Sequence, residues 1–65
     1  MTRALTWPPA WSRLADACGG VEELAARLES SRDVVARWAK GGEMQGPTRV
    51  AVRYLAAEVG VRSPV

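Results

Sequence analysis

The chain has 65 residues, of which 48% are hydrophobic, and nine basic residues against seven acidic ones give a formal net charge of +2. This length predicts one domain, 1–65, of marginal stability. The chain has no His and a single Cys, Cys18. These counts exclude a His-based catalytic triad, a Cys–His pair and an internal disulfide. We therefore expect no catalytic residue, no metal site and no cofactor.

The hydropathy and charge of the chain limit the compartments and the kinds of partner to be expected. No apolar run is long enough for a signal peptide or a membrane span, so we expect a cytoplasmic protein with no membrane partner. The mild positive charge permits nucleic-acid binding without requiring it.

The first predicted helix follows a short arm. Residues 1–6 are expected to form a loose terminus carrying one charge, Arg3, although arms of this kind reach the DNA minor groove in some families. Pro8 and Pro9 suit the first turn of a helix, where a missing N–H is no loss. A helix over 9–18 would place four apolar residues on one face: Trp11, Leu14, Ala15 and Cys18. Trp7 could pack back over this face.

Two short helices follow Gly19-Gly20, whose glycines favour the left-handed conformation that ends a helix. We predict the second helix at 21–28, with Leu24, Ala25 and Leu28 on one face. We predict the third at 32–40, with Val35 and Trp38 towards the core and Val34 or Ala39 at its margin. Ser30 or Ser31 would be its N-cap, and Ser30 with Asp33 forms a weak capping-box pattern.

The stretch 21–40 resembles the helix-turn-helix of lambda-repressor-like and Cro-like DNA-binding domains. The likeness lies in Leu24 followed by the small Ala25, in Leu28, and in Val35 followed three residues later by Trp38. The wider segment CGGVEELAARL…VVARWAKGG looks like small phage and antitoxin-type regulators. Two turn residues depart from the pattern: Glu29 stands where the family prefers Gly, and Ser30 where it has a buried aliphatic residue.

The resemblance implies that the third helix, about 31–40, reads bases in the DNA major groove. Arg32 is the best candidate for a bidentate contact to guanine. Asp33 could accept from a cytosine amino group or pair with Arg37 within the helix. The outward residues that could contact bases are Ser31, Arg32, Asp33, Ala36 and Arg37. The acidic pair Glu22 and Glu23 opposes DNA binding unless both carboxylates point away from phosphate.

A fourth helix is predicted over 46–58, after the Gly-rich linker that begins at Lys40. Its inner face would carry Val52, Leu55 and Val59, widened by Ala51 with Val50 and Tyr54 beside it. Lys40, Arg49 and Arg53 are the candidates for contacts to DNA phosphates, although both arginines could equally face only solvent. Apolar residues that stay exposed on this helix would form a dimer surface.

These observations predict an all-α fold: a compact bundle of four helices, or five, containing a lambda-repressor-like helix-turn-helix. The expected function is sequence-specific binding of double-stranded DNA by a small transcriptional repressor, acting as a homodimer on paired half-sites. The alternative is a helical protein-interaction module. In that interpretation the two helices of the motif are only a scaffold, and Trp7 and the exposed apolar residues of the fourth helix bind a protein partner. The acidic second helix and the irregular turn at Glu29 and Ser30 favour this alternative.

Overall fold

The computed structural model describes residues 7–65 and is helical, with no strand in this part of the chain. Four helices follow one another: α1 (Pro9–Cys18), α2 (Val21–Arg27), α3 (Arg32–Ala39) and α4 (Gly46–Val59). The predicted all-α class and four-helix count are confirmed for these residues. The expected arm at 1–6, with Arg3, lies outside the described residues.

Helix α1 occupies the centre of the fold. It packs against α2 and α4, and α2 also packs against α3. The Cα radius of gyration is 10.8 Å, close to the value of about 11 Å expected for a folded chain of this length. The longest of the four helices is α4, with 14 residues. None of the helices within 7–65 combines the length and apolarity needed to span a bilayer.

The core is the place where all four helices meet. Its largest fully buried side chains come one from each helix: Leu14, Leu24, Val35 and Val52, each 0% exposed. Burying one aliphatic side chain of this size stabilises a fold by about 1.5–3 kcal/mol. The predicted face of α1 is confirmed, because Trp11, Ala15 and Cys18 are buried beside Leu14. In α2 Leu24 and Ala25 are buried as predicted, whereas Leu28 follows the last residue of the helix and is partly buried against the core.

Two details of α3 and α4 differ from expectation. In α3 the roles of two neighbours are exchanged, since Ala39 is buried and Trp38 is only partly buried against the core. In α4 the inner face is completed by Ala56, whereas Ala51 is exposed. Periodicity alone allows either neighbour of a stripe to face inward, and the positions of the surrounding helices select one.

All four helices end in the same way. The residue after the last turn has a positive φ, and the next amide donates back to a carbonyl five residues earlier, as in a Schellman motif. The donor–acceptor pairs are Gly20 to Ala15, Ser30 to Ala25, Gly42 to Arg37 (each 2.8 Å) and Val61 to Ala56 (2.9 Å). Three of the positive-φ residues are glycines, Gly19, Gly41 and Gly60, and the fourth is Glu29, with φ 55°.

Glu29 therefore occupies a position that the other three helices give to glycine. It is the one non-Gly residue with positive φ in the described chain, and a side chain in this conformation costs on the order of 1 kcal/mol. Glu29 is thus a point of backbone strain in the turn between α2 and α3.

We expect Glu29→Gly to stabilise the fold by about 1 kcal/mol, because it removes the strain of the left-handed conformation. For a domain of this size that corresponds to an increase in Tm of about 4–8 °C, measurable by circular dichroism. Glu29→Ala is the matched control, since it removes the charge and keeps the strain. Equal increases in Tm for the two variants would assign the effect to charge and contradict this explanation.

Candidate nucleic-acid interface

The turn from α2 to α3 spans residues 28–31 and is organised by two serine side chains. The hydroxyl of Ser30 donates to the carbonyl of Leu28 at 3.2 Å. The hydroxyl of Ser31 accepts from the amide of Val34 at 3.2 Å, so Ser31 is the N-cap of α3. The capping-box pairing of Ser30 with Asp33 was wrong, because Ser31 has the extended backbone (φ −94°, ψ 162°) of an N-cap.

The outer face of α3 presents most of the predicted base-contacting side chains. Ser31, Arg32, Asp33 and Arg37 are exposed, and Ala36 is partly buried. Val35 and Ala39 are buried on the opposite side. Because residues one helical turn apart lie on one face, Asp33 and Arg37 form a row along the exposed surface of α3, and Lys40 follows them at its C-cap.

Arg32 forms an ion pair that the sequence patterns did not predict. Its Nη1 lies 3.3 Å from Oε2 of Glu22, and the two side chains are 66% and 77% exposed. It is the one ion pair between side chains of the described residues, so the predicted alternative of an Asp33–Arg37 pair is not formed. Exposed pairs of this kind contribute about 0.2–1 kcal/mol.

The three candidate phosphate-contacting residues lie in different surroundings. Lys40 is exposed at the C-terminal end of α3. Arg49, in the first turns of α4, lines a groove that also contains Trp38, Gly41 and Gly42 from the end of α3. Arg53 borders a shallow recess made entirely by α4 residues. The fold therefore brings Arg49 to the end of α3, and Arg53 lies beside the outer face of α4.

That outer face of α4 is apolar. Val50 is 45% exposed and Tyr54 is 74% exposed, whereas Val52 is fully buried. Val50, Tyr54 and Ala57 line the recess beside Arg53, and we call these three residues the α4 patch. Trp7 does not extend this patch as a free aromatic side chain, because it is partly buried against the core.

The described residues give little support for a reactive thiol or a metal site. Cys18 is buried and free. Burial raises the pKa of its thiol, although the nearby Arg27 partly opposes this shift. Cys18 is therefore a structural residue of α1, as its place in the apolar stripe indicates. Residues 7–65 contain no cluster of three or more His, Cys, Asp or Glu side chains that could hold a metal ion.

Comparison of the chain with protein-family models, curated proteins and solved structures gives no match. The geometry and charge of α3 and its neighbours are therefore the basis for a functional interpretation.

A glycine is required at position 42, after the end of α3, because a side chain there would have no space. A Cβ at this position would lie 2.8 Å from the backbone carbonyl oxygen of Arg37 and from its Cγ. We expect Gly42→Ala to destabilise the fold by about 1–3 kcal/mol, the usual cost of overpacking, as measured by urea denaturation. Gly46→Ala is the control, because a Cβ there meets nothing within 4 Å. Equal unfolding midpoints for the two variants would show that the contact with Arg37 is easily relieved.

Proposed function

We propose that the chain binds double-stranded DNA in a sequence-specific manner, as a small cytoplasmic transcriptional repressor. In this proposal α2 and α3 form a helix-turn-helix of the lambda-repressor-like and Cro-like kind, and α3 enters the major groove. The observation that carries it is that α3 is buried on its inner side through Val35 and exposes polar side chains elsewhere, among them Arg32 at its first residue and Arg37 on its outer face. A short helix anchored on one side and cationic on the other has the form required for major-groove docking.

Base recognition is assigned to the N-terminal part of α3. Arg32 is the first residue of the helix and Arg37 lies further along it, so both can reach base edges when the N-terminal end enters the groove. A bidentate Arg–guanine contact discriminates by about 1–3 kcal/mol. Ser31 and Asp33 are further candidates, although the hydroxyl of Ser31 already caps α3. Ala36 can contact a thymine methyl only at the edge of the face, since it is partly buried.

Phosphate binding is assigned to Lys40, Arg49 and Arg53. The first two support this assignment best, because Lys40 is the C-cap of α3 and Arg49 lines the groove beside that end. Each neutralised phosphate contributes about 0.9 to the slope of log affinity against log salt. Three contacts per protomer thus imply a modest slope of about 5 for a dimer on two half-sites. A much steeper slope would mean that cations outside this set bind DNA.

The proposal is tested first by fluorescence titration of random duplex DNA at two salt concentrations. We expect salt-sensitive binding by the wild type, weakened several-fold by Arg32→Ala/Arg37→Ala, since two positive charges are lost from the helix proposed to enter the groove. Arg13→Ala/Arg62→Ala is the matched control. It removes the same charge from exposed positions of α1 and the C-terminal tail.

The outcomes of this titration are distinct. Weakening by the α3 variant alone supports α3 as the DNA-contacting helix, and selection from a randomised duplex pool would then identify the preferred site. Equal weakening by both variants would indicate binding through net charge, which contradicts the assignment to α3. Absence of binding by the wild type at low salt would contradict DNA binding altogether.

The α4 patch is the observation that favours a second function, a helical protein-interaction module, and it is also the surface we assign to the homodimer. Exposed apolar residues that lie together mark association surfaces more often than scattered ones. Tyr54, at 74% exposure, is the most exposed of the large apolar side chains.

The double variant Tyr54→Ser/Val50→Ser tests whether the α4 patch joins two protomers on DNA. If the α4 patch joins two protomers on DNA, sedimentation of the variant with a palindromic duplex should show one protomer per duplex where the wild type shows two. Folding should be unchanged, because both side chains are exposed and surface substitutions usually alter stability by less than about 0.5 kcal/mol. Two protomers per duplex for the variant would contradict the role of the patch in the dimer.

A further inference from the structure

The ion pair between Glu22 and Arg32 connects the two helices of the proposed DNA-binding unit. Glu22 lies in the first turn of α2 and Arg32 is the first residue of α3. The two positions are ten residues apart in the chain, and the packing of α2 on α3 brings them together. The residue proposed to read a base thus already has an anionic partner within the protein.

The geometry of this pair leaves part of the guanidinium free. Only Nη1 of Arg32 is engaged, through a hydrogen bond of 3.3 Å to Oε2 of Glu22. An arginine side chain has further N–H donors on Nε and Nη2. Because the side chain of Arg32 is 66% exposed, these donors are accessible from solvent. Arg32 can therefore keep its contact with Glu22 and present its remaining donors to a base edge.

A DNA phosphate would meet a different environment at the same place. A phosphate beside Arg32 would lie near the carboxylate of Glu22, and like charges at short distance repel. A guanine edge is an acceptor without net charge, so Glu22 opposes it far less. The same carboxylate thus disfavours contact with the DNA backbone and holds Arg32 for contact with a base.

We propose that Glu22 is a positioning residue that increases sequence discrimination: it holds Arg32 for base contact and repels phosphate from the start of α3. This inference rests on the proposed DNA-binding function and adds to it the source of specificity at one residue. It also gives a role to the acidic α2, because one of its carboxylates acts on the base-reading side chain.

Glu23 provides a matched control on the same helix. It is the next residue, has the same charge and is exposed, and it forms no ion pair with a side chain of the described residues. Glu22→Gln and Glu23→Gln therefore change net charge equally, and only the first removes the partner of Arg32. Both variants should fold as the wild type does, which thermal denaturation would verify.

The experiment measures the Kd of each variant for a duplex selected by the wild type and for a random duplex of equal length. We expect Glu22→Gln to bind random duplex more tightly by a factor of up to about five, the equivalent of losing one exposed charge pair. Its affinity for the selected duplex should stay the same or decrease, so the ratio of the two affinities should fall several-fold. Glu23→Gln should change both affinities by the same factor and leave the ratio unaltered.

A second background tests whether Glu22 acts through Arg32. In Arg32→Ala, the further change Glu22→Gln should leave the ratio of selected to random affinity unaltered. An unaltered ratio for Glu22→Gln in the wild-type background would overturn the inference about Glu22, although DNA binding through α3 would stand. Absence of salt-sensitive binding by wild type and all variants would instead overturn the proposed function, and the role of Glu22 with it.

Discussion

The fold depends on the burial of one aliphatic side chain from each helix at a common point. Leu14, Leu24, Val35 and Val52 are each fully buried there. Helices α1, α2 and α3 have 10, 7 and 8 residues, and isolated helices shorter than about 12–15 residues are marginal in water. Each of the three therefore owes its stability mainly to this shared core. The same contacts hold α3 by its inner face and leave its outer face free.

The ends of the helices provide the second constraint on the fold. The repeated C-terminal motif lets a short chain reverse direction after every helix while its backbone amides remain hydrogen-bonded. Three of the four reversals use a glycine and one uses Glu29. The strained reversal is the one that sets the angle between α2 and α3, so strain is located where the proposed DNA-binding unit is built. Local strain of this kind persists only where the surrounding structure determines the conformation.

The distribution of charge between α2 and α3 links the fold to the proposed function. The first turn of α2 carries two carboxylates, and α3 carries the exposed side chains of Arg32 and Arg37. In the sequence these charges appear as an acidic segment followed by a basic one. The basic segment favours DNA binding and the acidic segment opposes it. In the folded chain Glu22 contacts Arg32, so part of the acidic segment is directed at the protein's own cationic helix. The α4 patch lies apart from this ion pair, among residues of α4 alone.

The local features of this protein could be predicted from its sequence. Helix α1 has the predicted bounds, because two prolines, an apolar stripe and Gly19 define it without reference to distant residues. Cys18 is buried as its place in that stripe predicted. The turn between α2 and α3 was also located correctly, with Ser31 as one of two predicted N-caps. The exposed candidates on α3 followed from the same helical period that identified Val35 as its inner residue.

Tertiary structure alone decided which positions beside an apolar stripe face the core and which charged side chains meet. Ala56 replaces Ala51 on the inner face of α4, and Ala39 is more deeply buried than Trp38. The sequence offered a local pair within α3, Asp33 with Arg37. The ion pair that forms joins two helices instead, between Arg32 and Glu22. The physical reason is the same in each case. Helical periodicity is a property of the local backbone and can be recognised within one segment, whereas the side of a helix that is covered depends on where the other helices lie.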